Sequence, residues 1–276
     1  MTTPRRRLRL IPLLLALACV PRDFGVFSPI RTDRYTFPGN HVPVELIEER
    51  ALTTADGVTL AAVLALQRAP GARPTALYLH GQASNIDVAW PDVQRLWDAG
   101  YNVAVVDYRG YGRSGGEPSE AGLYLDAQAA LDLVVGDARL DASRIALWAH
   151  SLGTAVASHL ALTAPAALLV LASPFTSMTD MVELSSPYGV PSDWHTDARF
   201  DTLSRIGAVA MPLVVVHGTD DRRVPLWMGE QVFAAANEPK RLVAVAGAGH
   251  DDVLERGLGA ALAACAELVP AAVPAG

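Results

Sequence analysis

Two residue types are nearly missing from this 276-residue chain. Cysteine occurs only twice, and only one of the 22 basic residues is a lysine, Lys240. Two cysteines provide no disulfide framework and no cysteine-based metal spacing. The near-absence of lysine reads as compositional bias towards arginine rather than as recognition. A basic surplus is missing too. The formal net charge is −7, which lacks the basic face that a general nucleic-acid binder requires. There is no long like-charge block, no low-complexity tract and no internal repeat, so the body of the chain is expected to be globular. What is present is apolar: 51% of residues are hydrophobic, enough for a sizeable core in one large domain or two small ones.

The first 19 residues differ from the rest. "MTTPRRRLRL" is basic and "LIPLLLALAC" is apolar, the order of an export signal. The apolar run is short and contains Pro12, which argues against a membrane-spanning helix. It ends at Ala18-Cys19. "ALAC" resembles the lipidation site of a bacterial lipoprotein, with Ala16 where leucine is usual and Leu17 where a small residue is usual. A plain signal peptide and an uncleaved anchor are the alternatives. Residues 1–19 are thus read as a signal or anchor, and residues 20–43 as a linker. The expected location is the cell envelope, lipid-anchored at Cys19 and membrane-associated through the N-terminus, or secretion. Cys265 sits in the helical-looking "LGAALAACAELV" and reads as a small buried apolar residue.

From Val44 the pattern is regular. "VELIEERALTTADGVTLAAVLAL" reads as two strands joined at Ala55-Asp56-Gly57. Short apolar runs follow: "TALYLH", "YNVAVVD", "SRIALWAH", "ALLVLAS", "PLVVVHG" and "RLVAVAG". Helical stretches lie between them. Continuous apolar strands alternating with helices predict an α/β fold: a mostly parallel sheet with an antiparallel N-terminal edge and helices on both faces. The domain is placed at 44–268 and a flexible tail at 269–276. Residues 173–203, rich in proline and aromatics after a strand, read as a small lid or pocket wall, because binding sites in such sheets form at the carboxyl ends of strands.

Ser151 stands where the strand "RIALWAH" meets the helix "LGTAVASHLA". A sharp strand-to-helix turn exposes a nucleophile and aims the first helical N–H groups at a reacting carbonyl. The motif is Ala149-His150-Ser151-Leu152-Gly153, with alanine at the first of the two small positions. A serine needs a base, and the base needs an orienting carboxylate. Further on, "GTDDRRVP" and "AGHDD" each follow a strand. His250 is therefore the candidate base, and Asp220 or Asp221 the candidate carboxylate. Backbone N–H groups of Gln82 and Leu152 are the candidate oxyanion donors, and the Gln82 side chain is not needed for that role. His80, His150, His159 and His217 read as structural.

Six pieces in order, "LYLHGQASNI", "VVDYRGYGRSGGEPSE", "ALWAHSLGTAVA", "ASPFTSM", "VVVHGTDDRRVP" and "VAGAGHDD", resemble the α/β-hydrolase superfamily. The likeness falls in its small-lid branch of serine-aminopeptidase-like, monoacylglycerol-lipase-like and depalmitoylase-like proteins, and it spans roughly residues 75–252. It implies Ser151 as nucleophile and His250 as base. The family pattern H-G-x-x-D-x-x-V-P falls on Asp221, not Asp220. The Asp107-Tyr108-Arg109-Gly110 loop matches a structural part of the pattern. The implied activity is ester or thioester hydrolysis of a small-molecule or acylated substrate through an acyl-enzyme, needing no cofactor and no metal. The alternatives are an aminopeptidase-type peptidase and a non-catalytic, envelope-anchored binding protein.

Overall fold

The structure, a computed structural model, describes residues 25–185 and 196–274. One eight-stranded sheet organises it. The strands are β1 (Ile47–Thr53), β2 (Thr59–Ala65), β3 (Thr75–Leu79), β4 (Asn102–Val106), β5 (Ile145–His150), β6 (Leu168–Ala172), β7 (Leu213–Gly218) and β8 (Lys240–Val245). Their order is β1-β2-β4-β3-β5-β6-β7-β8. β1 and β2 form the antiparallel edge, and every pairing from β4 to β8 is parallel. The hairpin closes through Thr54 N–H to Val58 O, with Gly57 at φ 84°.

The helices are α1 (Ile86–Asp98), α2 (Glu120–Gly136), α3 (Leu152–Leu160), α4 (Met178–Ser185), α5 (Thr202–Ile206), α6 (Leu226–Ala235) and α7 (Val253–Leu268). Side chains alternate across each strand. Leu77, Leu79, Leu147 and Ala149 join one core with residues of α2, α3, α5 and α6. Ala76, Tyr78, Ala146 and Trp148 join a second core with residues of α1 and α7. All residues of β3, β4 and β6 are buried, which is why those strands read as unbroken apolar runs rather than alternating ones. Cys265 lies in the second core, and burial pushes its thiol up to about 12.

Two boundaries differ from the sequence reading. From residue 25, the stretch expected to be a linker packs onto the domain. Val26 and Val42 are buried, Phe37 packs on Trp90 with ring centroids 4.4 Å apart, and the Asp87 carboxylate accepts from the N–H groups of Thr36 and Phe37. Its apolar residues fall at no regular period, and periodicity is the signal by which a packed segment shows in a sequence. The tail, as far as it is described, is also docked: Ala272 is fully buried, and its carbonyl accepts from Tyr101 Oη at 2.9 Å. The N-terminal segment through Cys19 lies outside the described residues.

The glycine-rich stretch after β4 is structural. Asp107 accepts from Ile86 N–H at 2.7 Å, from Arg113 N–H at 3.2 Å and from the Tyr35 hydroxyl. Burial pushes its carboxyl up to about 6. Arg109 joins the buried Asp126 to Asp56 in the hairpin turn, tying the antiparallel edge to α2.

Candidate active site

β5 ends at His150 and α3 begins at Leu152, so Ser151 alone makes the corner, at φ 53° and ψ −119°. A positive φ in a non-glycine residue is strained. The neighbours explain how the turn closes. A Cβ at position 153 would lie 2.1 Å from the carbonyl oxygen of Leu79, so only glycine fits there. Ala149, by contrast, points its methyl into the core between Leu79 and Leu171 of the flanking strands. Of the two small positions, the second is obligatory and the first accommodates alanine.

Serine is a favoured helix N-cap, its hydroxyl accepting from an early helical N–H. Ser151 occupies that position and makes no such bond. Its Oγ lies 2.9 Å from Nε2 of His250 instead. The other ring nitrogen of His250, Nδ1, lies 2.8 Å from Oδ2 of Asp221. Because a carboxylate only accepts, Nδ1 carries the proton and Nε2 is free to accept from the hydroxyl.

Asp221 is held in turn. Its Oδ1 accepts from the N–H groups of Arg223 and Val224, both at 2.9 Å. Burial alone would push its carboxyl up. The hydrogen bond and charge of His250, with the Val224 N–H, outweigh this and bring it down to about 2. Asp220 faces elsewhere: it is exposed, and its carboxylate accepts from Thr219 Oγ1 at 3.2 Å. The loops carrying Asp221 and His250 touch. Asp220 N–H donates to Ala248 O, and a Cβ on Gly218 would lie 2.3 Å from that same carbonyl.

Gln82 follows β3 in the adjacent loop, and Leu152 opens α3. Among the described residues neither backbone N–H is taken by a hydrogen-bond partner. Gln82, Ser151 and His250 line one cavity of about 440 Å³, together with Val88, Met181 and Val224. The lid stretch is described at residues 173–185 and 196–203, and α4 supplies Met181 to the cavity wall; the rest of that stretch lies outside the described residues.

Sequence reasoning missed some partners. His150 Nε2 donates to the carbonyl of His250 at 2.9 Å. Burial, and then the neighbouring His250, hold the His150 imidazole below its ordinary pKa. His217 lies behind Asp221, its Nε2 donating to Val224 O at 2.8 Å. The Gln82 side chain, set aside by the sequence reading, donates to the carbonyls of both Gly25 and Val26. No spacing signal marks these bonds: those of His150 and Gln82 reach backbone 56 to 100 residues away, and that of His217 joins a strand end to the carbonyl of a loop residue seven positions on.

A parallel sheet whose carboxyl edge presents a strained serine in line with a histidine and an aspartate defines the α/β-hydrolase class of protein. The chain belongs to the α/β-hydrolase superfamily. Residues 71–194 match the family described as serine aminopeptidase, S33. An uncharacterized protein of Mycobacterium tuberculosis is 38% identical over 254 residues, 90% of each chain. Protein bem46 of Schizosaccharomyces pombe is 37% identical over 188 residues, 64% of this chain and 62% of that one. The fold matches the Pyrococcus furiosus esterase Pf2001 with a TM-score of 0.70 at 20% identity, covering 88% of this chain and 97% of the other.

Proposed function

We propose that the protein is a serine hydrolase that cleaves an ester or thioester through an acyl-enzyme. The observation that carries this reading is the Ser151 hydroxyl, which forgoes its helix cap to bond His250 Nε2. In the first step Nε2 takes the hydroxyl proton as Oγ attacks the carbonyl carbon. The carbonyl oxygen gains a full negative charge, met by the N–H groups of Gln82 and Leu152. The tetrahedral adduct collapses, the imidazolium protonates the departing alcohol or thiol, and Ser151 remains acylated. Water then gives its proton to Nε2 and attacks the acyl carbon, and the returning proton restores the serine. Asp221 stays ionised throughout, since its carboxyl titrates at about 2.

The cavity favours ester over aminopeptidase chemistry. A free amine calls for an unpaired carboxylate. Among the described residues the carboxylates lining the cavity are Asp92 and Asp251, and both have cationic partners. Asp92 bonds Arg95 and the Tyr78 hydroxyl, each at 2.8 Å. Asp251 takes both guanidinium nitrogens of Arg223. Val88, Ala89, Met181 and Val224 offer an apolar wall for an acyl chain.

The test is a panel of p-nitrophenyl esters of graded chain length beside an aminoacyl p-nitroanilide, assayed on a chain that begins at residue 21 and so keeps the packed segment from 25. Ester turnover that disappears in Ser151→Ala supports the reading. Turnover of the anilide alone supports the peptidase, and ester turnover that persists in Ser151→Ala rejects Ser151 as nucleophile.

A further inference from the structure

An oxyanion donor is effective only if it is fixed before the charge arrives. Leu152 is fixed by α3, but Gln82 lies in an irregular loop between β3 and α1. Side chains hold that loop. Tyr108 Oη donates to His80 O at 3.2 Å, and Ile86 N–H bonds Asp107 at 2.7 Å. Two further ties run to the N-terminal stretch 25–32. The Gln82 amide reaches the carbonyls of Gly25 and Val26, the latter at 2.7 Å, and Asn85 Nδ2 donates to Ile30 O at 3.2 Å.

That stretch is itself anchored. Val26 is 3% exposed in the core, and Phe27 meets Phe200 edge-on at 5.9 Å. Ile30 O and Thr32 N–H bond the two sides of Gly112, at 2.9 and 3.1 Å. The strap therefore joins the oxyanion loop, the glycine-rich loop after β4 and the segment that returns from the lid.

The geometry points to Gln82 as a positioning residue: its side-chain amide clamps the strap at Gly25–Val26 and thereby sets the direction of its own backbone N–H towards the oxyanion. This rests on the serine-hydrolase reading and adds to it a fixed wall that begins upstream of the strands. The amide is suited to the task because one NH₂ group donates to both carbonyls. A carboxylate there would set acceptor against acceptor.

The test compares Gln82→Met, which keeps the length and loses the donors, with Gln82→Glu. It adds a chain beginning at residue 29, which lacks both carbonyls, and the combination of that truncation with Gln82→Met. Two quantities are read on folded protein: kcat and KM on a p-nitrophenyl ester, and the rate at which a fluorophosphonate labels Ser151. The second needs no knowledge of the natural substrate. Gln82→Met is expected to lower kcat and the labelling rate about 10- to 100-fold, short of or equal to the loss of a whole donor, with KM within about twofold. Gln82→Glu loses more. The truncated chain shows the same loss, and adding Gln82→Met to it costs nothing further. Wild-type kcat and labelling in Gln82→Met overturn the proposal, as does a change confined to KM or to thermal stability. If the truncated chain does not fold, the Met and Glu variants alone decide. A wild-type protein that no fluorophosphonate labels fails the serine-hydrolase reading itself, and the proposal with it.

Discussion

The residue before the nucleophile holds the backbone of the base: His150 Nε2 donates to the carbonyl oxygen of His250 at 2.9 Å, with the rings 4.9 Å apart. The donor must carry its proton on Nε2, and burial keeps this imidazole neutral. The corner that presents Ser151 thus also fixes the loop that presents His250.

Replacing His150 with alanine removes that bond and leaves a small void, without touching the serine. A single hydrogen bond contributes about 0.5–1.5 kcal/mol. The expected fall in kcat/KM is therefore about 2- to 10-fold, with fluorophosphonate labelling still confined to Ser151. A loss of several thousandfold would mean that His150 takes part in the chemistry directly.

Asp221 and Asp220 are adjacent and differ in every contact, so Asp221→Asn and Asp220→Asn should differ as sharply. The first is expected to cost up to about 10⁴ in kcat, because an amide no longer fixes the tautomer of His250. The second should stay close to wild type. The pair also separates in stability against pH. The Asp221 carboxyl titrates at about 2 when folded and near 3.9 when unfolded. A lowered folded pKa contributes stability that is present above about pH 4 and is lost as pH falls towards 2. The size is about 2–3 kcal/mol at neutral pH. Denaturant unfolding of wild type and Asp221→Asn should differ by that amount at pH 7 and converge near pH 2. A constant difference across the range contradicts the assignment.

The sheet and the three candidate site side chains were legible because they follow periodic or motif signals. β3 to β7 are apolar runs of five or six residues, and Ser151, Asp221 and His250 each follow a strand in a fixed order. The strap from Gly25 was not legible. Val26, Tyr35, Phe37 and Val42 recur at no helical or strand period, and the partners of this stretch, Trp90 for Phe37, Asp107 for Tyr35 and Gly112 for Ile30 and Thr32, lie some 50 to 85 residues on. The same holds for the tail, where Val269, Ala272 and Val273 pack on the second core and the carbonyls of Ala271 and Ala272 accept from Arg144 and Tyr101. The sequence does not show why alanine can stand at 149 while 153 is glycine; the geometry of their neighbours does.

That geometry makes the two small positions testable. Gly153→Ala drives a methyl against the Leu79 carbonyl, a backbone atom that cannot rotate away. Overpacking of this kind costs about 1–3 kcal/mol, and opening the turn also moves Ser151 from His250. Thermal stability and kcat should fall together. Ala149→Gly removes a methyl from a strand interior, which costs about 0.5–1 kcal/mol, and should leave kcat nearly unchanged. A Gly153→Ala variant as stable and active as wild type would show that the corner tolerates a Cβ at 153.

The last prediction concerns the segment ahead of the strap. The basic-then-apolar order through Cys19 motivates an export signal and a membrane anchor. The described chain enters at Gly25, whose carbonyl is held by a cavity-lining residue, Gln82. Cys19 is six residues earlier in the sequence, so the proposed anchor and the loop that lines the cavity are joined by a short stretch of chain. Full-length protein produced in bacteria is expected to fractionate with membranes, and Cys19→Ser to release it. Retention after Cys19→Ser points to an uncleaved apolar anchor. Recovery of the unmodified full-length protein in the cytosol rejects export. If the anchor is real, the wild-type protein in its membrane should hydrolyse a bilayer-embedded long-chain ester faster than the released Cys19→Ser protein does. The two should match on a short, water-soluble ester, since the distance of the cavity from the lipid matters only for a substrate held in the bilayer.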